Sequence, residues 1–338
     1  MRLAMNKRSR KATDNSMTYY IVIGGFVAIC VIAIGYQILY PKEIFMDKKV
    51  IDHNEFIVHN SQNQNFKQGA NTQFEGYTMN DARLQFNMAI AESPNINKCN
   101  LDDTIEIPDE YDWRTTDTGK ACSQPVRLNG NCTAGHINAV VSTVEDRMCQ
   151  QLDGETKFQL SAQDALNCDH TNFYCSGGYV TNTLNYGKEY GFIDESCMPW
   201  TGDNTTCPED PNPCRLNKEN YIIADYCAVQ GPEEIKAEII KNGPVIAPLS
   251  GFTDFLAYKE GTYFPDEAAF KFNGQNIVKI VGWGSDVQGT HWIVQLAWGE
   301  DWGEEGFARV PGGRQELGID FIGIAPITMP MNYAEYEI

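Results

Sequence analysis

The sequence predicts an α+β protein of two lobes with a cleft between them, carried behind an extended arm and one transmembrane helix. Three observations predict it. Residues 19–40 form an uncharged apolar run, apolar residues recur at helical spacing through 137–148, and beyond 244 the pattern changes to short β-branched or aromatic segments bounded by Gly, Pro and Asp. A helical half followed by a β half is the α+β order, and the junction of two such halves is a natural cleft. The 338 residues, 42% hydrophobic and 21% charged, suffice for one large core or two modest ones and fit neither a disordered nor a collagen-like chain.

In chain order, residues 1–18 are a basic tail with Arg2, Lys7, Arg8, Arg10 and Lys11 against Asp14. That tail carries +4 of a total of −19, so the remainder stands at about −23. Such acidity excludes a general nucleic-acid partner, because phosphate binding needs clustered Lys and Arg. Residues 19–40 carry Gln37 as their single amide and would reach about 33 Å as a helix, enough to cross a bilayer. A cleavable signal peptide is the competing reading, but the run exceeds a usual apolar region and no small-x-small site follows Gly35. Tyr19, Tyr20, Tyr36 and Tyr40 stand at its ends as interfacial anchors do, and a buried core helix would be amphipathic. The positive-inside rule keeps the tail on the side of synthesis and puts the body across the membrane.

Residues 41–108 are polar, rich in Asn and Gln, and read as an extended arm with short helices. Helical patterning begins at 133, with Ile137, Val140, Val141, Val144 and Met148 on one stripe. A second helix is expected to start at Ser161 as N-cap with Asp164 three residues on, and a third to run from Gly231-Pro232-Glu233 to Lys241 and end at Asn242-Gly243. The segments PVIAPL, NIVKIVGWG, HWIVQLAW and GFARV read as strands.

Ten of 11 cysteines lie outside the apolar run, which holds Cys30. An even set packed mostly between Cys122 and Cys227 suits an oxidising compartment and disulfides. Zinc would want paired C-x-x-C knuckles or histidines at ligand spacing, and neither occurs, so no metal and no cofactor is expected.

The series DWR, CSQPVRLNGNCTAGHINAVVSTVEDRMC, SAQDALNC, CSGGY, KNGPV, VGWG and WGEDWGEEGF, in that order over about 109–325, resembles the papain-like cysteine proteases, nearest to cathepsin B. The run Trp298-Gly299-x-x-Trp302-Gly303-Glu304-x-Gly306-Phe307 is its most specific part. The resemblance implies a papain-like two-lobed fold: a helical lobe over 109–218, a β-barrel-like lobe over 219–330 and a C-terminal tail at 331–338. The arm, with HN, FKQGAN, Phe74 and the GYT run at Gly76, is similar to a cathepsin propeptide. The resemblance pairs Cys122 with Cys149 and Cys132 with Cys175, and suggests Cys168 with Cys207 and Cys197 with Cys214. Cys99 and Cys227 are left over, and a bond between them would staple the arm to the body.

In that family a cysteine thiolate at a helix N-terminus attacks, a histidine activates it, an asparagine orients the histidine and a glutamine donates to the oxyanion. Here the matching positions hold Gly135, Asn276, Leu296 and Asn129. Glycine has no nucleophile, and a neutral amide takes no proton at physiological pH. Cys132 and His136 offer a Cys-His pair on paper, but a disulfide-bonded sulfur is no nucleophile. His291 takes a position usually aromatic and reads as a packed core histidine. The paired histidines and long insertion of cathepsin B's occluding loop are missing between Cys175 and Cys214, and a late family cysteine is Leu317. Gly177 and Gly178 match the loop whose backbone grips peptides, and Trp298 would line the same cleft.

The expectation is therefore a pseudoprotease, not an enzyme, with the arm plugging its cleft, whose partners are the lipid bilayer and the subunits of a membrane protein complex. The alternatives are a membrane-anchored peptide-binding module or decoy, which needs an open cleft, and an active cathepsin B-like protease. The expected compartment is the mitochondrial inner membrane with the body in the intermembrane space. The sequons at Asn131 and Asn204 keep an endomembrane or cell-surface site open.

Overall fold

A computed structural model describes residues 46–328 apart from 64, 92–94, 102–103, 209–213, 215–220 and 268. The tail at 1–18, the apolar run at 19–40, the C-terminal tail at 331–338 and the expected lobe boundary at 218/219 lie outside the described residues. Among the described residues no helix is long and apolar enough to cross a membrane.

The helical lobe is organised by α4 (Gly135–Gln151), whose Val140, Val141 and Val144 are fully buried, as their i, i+1, i+4 spacing requires. Helices α3 (Asp117–Cys122), α5 (Ala162–Cys168) and α6 (Val180–Glu189) surround it. Ser161 caps α5, its Oγ accepting from Asp164 N at 3.0 Å. The expected box is not closed in the usual way, since Asp164 Oδ2 accepts from the Tyr186 hydroxyl at 2.8 Å.

The β lobe is a sheet with the path β10 (Phe307–Pro311), β9 (Gly289–Gln295), β8 (Lys271–Asp286), β6 (Val245–Phe252), β11 (Gly323–Thr328) and β5 (Ile223–Val229). The four expected strand segments are β6, β8, β9 and β10. Strand β5 precedes α7 (Gly231–Asn242), so this lobe does not begin with a helix. Gly243 ends α7 at φ 97, a conformation glycine reaches without a Cβ penalty.

The arm comprises α1 (His53–Gln62), β1 (Phe66–Gln68), α2 (Met79–Ala82) and β2 (Met88–Ala89). Strand β1 pairs antiparallel with β7 (Tyr258–Gly261). Strand β2 lies between the lobes, parallel to β4 (Gly178–Tyr179) on the helical side and antiparallel to β8 at Gln275 on the other. Three arm phenylalanines are fully buried: Phe66 against Tyr263 (centroids 5.1 Å), Phe74 against Trp298 (5.0 Å), and Phe86 against Phe272 (5.0 Å). Each contributes about 1.5–3 kcal/mol of burial, which is why a polar arm with weak periodicity is nonetheless fixed.

Three consecutive charges on α4 bind the lobes together. Glu145 meets Arg127 (2.7 Å), Asp146 meets Lys279 of β8 (2.6 Å), and Arg147 meets Glu238 of α7. Glu145 and Asp146 are 1% exposed at the side chain, so each pair replaces lost hydration with a direct partner. Five disulfides join Cys99–Cys227, Cys122–Cys149, Cys132–Cys175, Cys168–Cys207 and Cys197–Cys214.

Candidate functional site

Gly135 opens α4 where the helical lobe meets β8, and the sequence-expected positions gather around it. A Cβ built on Gly135 would lie 2.9 Å from Asn276 Oδ1. Asn276, 1% exposed, is held by its own strand, Oδ1 accepting from Ile277 N at 2.7 Å. Asn129 is fully buried, with Oδ1 accepting from Asn138 Nδ2 at 2.7 Å and its backbone N–H donating to Ala297 O at 2.8 Å. Leu296, 1% exposed, borders with Asn138 and Ile277 a space of about 10 Å³, room for about one water. The donors Asn129 Nδ2 and Asn276 Nδ2 have no hydrogen-bond partner among the described residues. The site therefore offers amide donors, and at Gly135 no side chain at all.

The arm fills the place above Gly135. Met88 Sδ and Cε are each 3.0 Å from where a Gly135 Cβ would stand, and Sδ accepts from His136 N at 3.1 Å. Sequence reasoning missed Met88, because a methionine in a polar arm announces no contact. Gly177, at φ 100, lets the arm backbone approach: a Cβ there would be 1.9 Å from Asn87 O. Gly178 carries the β4 pairing to Met88. Trp298, expected to line the cleft, is 1% exposed because Phe74 and Phe86 cover it. What remains open is a recess of about 520 Å³ beside the arm, bordered by Met88, Ala89, Phe272 and Gly274.

His136 is fully buried with both ring nitrogens unpartnered among the described residues, and burial pushes its imidazole down to about 3. It is neutral across the physiological range. Cys132, the other half of the paper pair, is in the disulfide with Cys175. His291 is 7% exposed in β9, 3.8 Å from Asp286, and burial lowers its pKa. The residues named for cysteine pairing are all brought together, Cys99 and Cys227 included. Among the described residues no group of three His, Cys, Asp or Glu side chains could hold a metal ion.

Two lobes meeting along one long helix, with an arm laid between them, define a papain-like α+β architecture. The family model of the papain family cysteine proteases matches residues 107–327, more than half of the chain, and the chain belongs to that family. In fold it is similar to proCathepsin B S9 from Trypanosoma congolense, with a TM-score of 0.74 and 23% identity over 83% of this chain and 99% of that one. It is also similar to digestive procathepsin L2 proteinase from the larval midgut of Tenebrio molitor (0.70, 20% identity, 85% and 93% covered). A third similar structure is the Amb a 11 cysteine protease, a major ragweed pollen allergen, in its proform (0.69, 24%, 82% and 86%).

Proposed function

We propose that this chain is a non-catalytic member of the papain family that serves as a membrane-anchored accessory subunit of a membrane protein complex, with its arm retained. The observation that carries the reading is Met88. The place where the family resemblance puts a nucleophile holds the Cα of Gly135 and the arm's thioether, and the place of its base holds the amide of Asn276. A thioether bonded to two carbons is not the thiolate that this chemistry requires, and a primary amide is not a general base.

Two further features support retention of the arm. The similar proforms cover 82–85% of the chain, more than the family-model match spans, so the likeness extends over arm residues. Cys99–Cys227 ties the arm covalently to β5. A chain that does not cut its own arm keeps a filled cleft, and its remaining asset is a rigid acidic surface. Residues 19–40 supply the anchor in this reading, and the mitochondrial inner membrane, with the body in the intermembrane space, supplies a host for such a subunit.

The deciding experiment is mild-detergent solubilisation of the native membrane, native electrophoresis and mass spectrometry of the band that holds this chain. Stoichiometric co-migration with a large complex is expected. Migration as a free monomer would overturn the subunit reading in favour of a peptide-binding decoy, which also requires the arm to leave, because Met88 and Ala89 wall the recess that is open. Thiol-probe labelling abolished by Cys132→Ala would revive the protease. Asn204 is exposed, and a glycan on it would place the body in an endomembrane lumen or at the cell surface.

A further inference from the structure

A second cavity lies away from the arm. It has a volume of about 540 Å³ and opens between the lobes beside Asp146. Asp146 and Gly135 are eleven residues apart on α4, about 16 Å along the helix, so this cavity is separate from the place that Met88 fills. Its size and mixed lining are those of a small-molecule site.

Two buried polar atoms in its wall have no partner. Asp146 is 1% exposed, and its Oδ2 is taken by Lys279 Nζ at 2.6 Å, but Oδ1 has no hydrogen-bond partner among the described residues. Ser123 Oγ, also buried, is likewise unpartnered. Both residues line the cavity. Leaving such atoms unmet costs about 1–3 kcal/mol each, which a bound donor would recover.

The surrounding charges define the class of ligand. Lys279 already neutralises Asp146, so a second cation at Oδ1 would be repelled, and the vacant lone pairs call for a neutral N–H or O–H. The rim carries Lys120 from the helical lobe and Glu300 and Glu305 from the β lobe, all exposed. Opposite charges on opposite lobes suit a molecule with a carboxylate at one end and an ammonium at the other. Between them stand Val126, Val281 and Phe307, the last covered by the Arg114 guanidinium at 4.0 Å from its ring centroid. We propose that this cavity binds a small zwitterion with an N–H or O–H donor between its charged ends, of which a dipeptide with apolar side chains is the simplest example.

The test uses the full chain in detergent, with binding followed by thermal shift and titration calorimetry. The probes are the dipeptide Val-Phe, its N-acetyl amide, which lacks both end charges, and 6-aminohexanoate, which has the charges but no central donor. Val-Phe is expected to raise the melting temperature saturably, and each of the other two to bind about tenfold more weakly or worse. Lys120→Gln and Glu305→Gln should each weaken Val-Phe about tenfold while leaving the unliganded melting temperature unchanged, and Ser123→Ala should weaken it severalfold. No shift from Val-Phe at about 10 mM, where even a millimolar ligand stabilises measurably, would overturn the proposal. An equal response to the N-acetyl amide would overturn the zwitterion. Equal affinity for 6-aminohexanoate would overturn the role of Asp146 and Ser123, and unchanged affinity in the rim variants would put the binding elsewhere.

Discussion

Removing the Cys99–Cys227 bond should cost this protein a large part of its stability, and the size follows from its topology. The bond closes a sequence separation of 128 residues. In the oxidised unfolded chain, however, Cys122–Cys149 and Cys168–Cys207 already short-circuit part of that stretch, leaving an effective loop of roughly 60 residues. Chain-entropy arithmetic for such a loop gives about −14 cal/mol/K, or about 4 kcal/mol at 25 °C, against a total of about 5–15 for an ordinary domain. The native side changes little, because Cys99 N–H still donates to Ala228 O at 2.9 Å and Ala228 N–H to Asn97 O at 2.8 Å. The assay is urea unfolding of Cys99→Ser/Cys227→Ser beside wild type, in detergent without reductant, followed by tryptophan fluorescence. With a slope of about 2–3 kcal/mol/M, the midpoint should fall by between about 1 and 2 M. A midpoint within about 0.2 M of wild type would refute the reasoning, because it would mean that the bond does not restrict the unfolded chain.

Gly135→Cys should destabilise the protein by about 1–3 kcal/mol, since its Cβ would stand 2.9 Å from Asn276 Oδ1 and 3.0 Å from the Met88 thioether. Adding Met88→Ala should recover part of that loss, so thermal melts of the two single variants and the double variant should be non-additive by at least about 1 kcal/mol; simple additivity would separate the two sites. Arg147→Met leaves the Glu238 carboxylate buried without its guanidinium and should cost about 3–5 kcal/mol, most of it regained in Arg147→Met/Glu238→Leu, as urea midpoints would show. Burial lifts Glu145 to about 7 and Asp254 to about 6, above their unfolded values, so these groups add stability at low pH and lose it as pH rises through those values. His136 works in the opposite sense: held down to about 3, it contributes stability above pH 6.5 that is lost as pH falls toward 3. His136→Gln should therefore gain on wild type by up to about 1.4 kcal/mol per pH unit between pH 6 and 5, and a gap constant with pH would show that the folded imidazole takes a proton.

Much of the fold was legible because its signals are local. The stripe on α4, the Ser161 cap, Pro232 at the start of α7 and Gly243 at its end are properties of a few neighbouring residues, and the structure has each of them. Strand β11 was not read, and strand β5 was placed in no strand segment. Both are short and gain their identity from pairing with each other, Gly323 opposite Val229 through Thr328 opposite Ile223, a contact across about a hundred residues. Helix α6 was missed for a different reason. Its sequence, VTNTLNYGKE, has few strong apolar residues, and its buried face includes Thr181, Thr183 and Gly187, which only a tightly packed neighbour makes into core.

The site divides along the same physical line. Gly135, Asn276 and Leu296 could be placed from sequence because glycines and tryptophans on either side hold the register, as at Gly282-Trp283-Gly284 and Trp298-Gly299. Met88 could not, because a side chain that fills a vacated space leaves no pattern in its own neighbourhood. Its role exists only as a relation: a glycine at the start of α4 leaves the room, an arm backbone held by Gly177 passes close enough to use it, and a thioether long enough to reach His136 N–H occupies it. Reversal to an enzyme would thus require more than restoring three side chains. A cysteine at 135 would meet Met88 before it met any substrate, and Cys99–Cys227 would hold the arm to the body even after a cut between residues 99 and 227. In this reading the arm is part of the cleft's wall, and any surface that a partner recognises near the cleft includes residues of both.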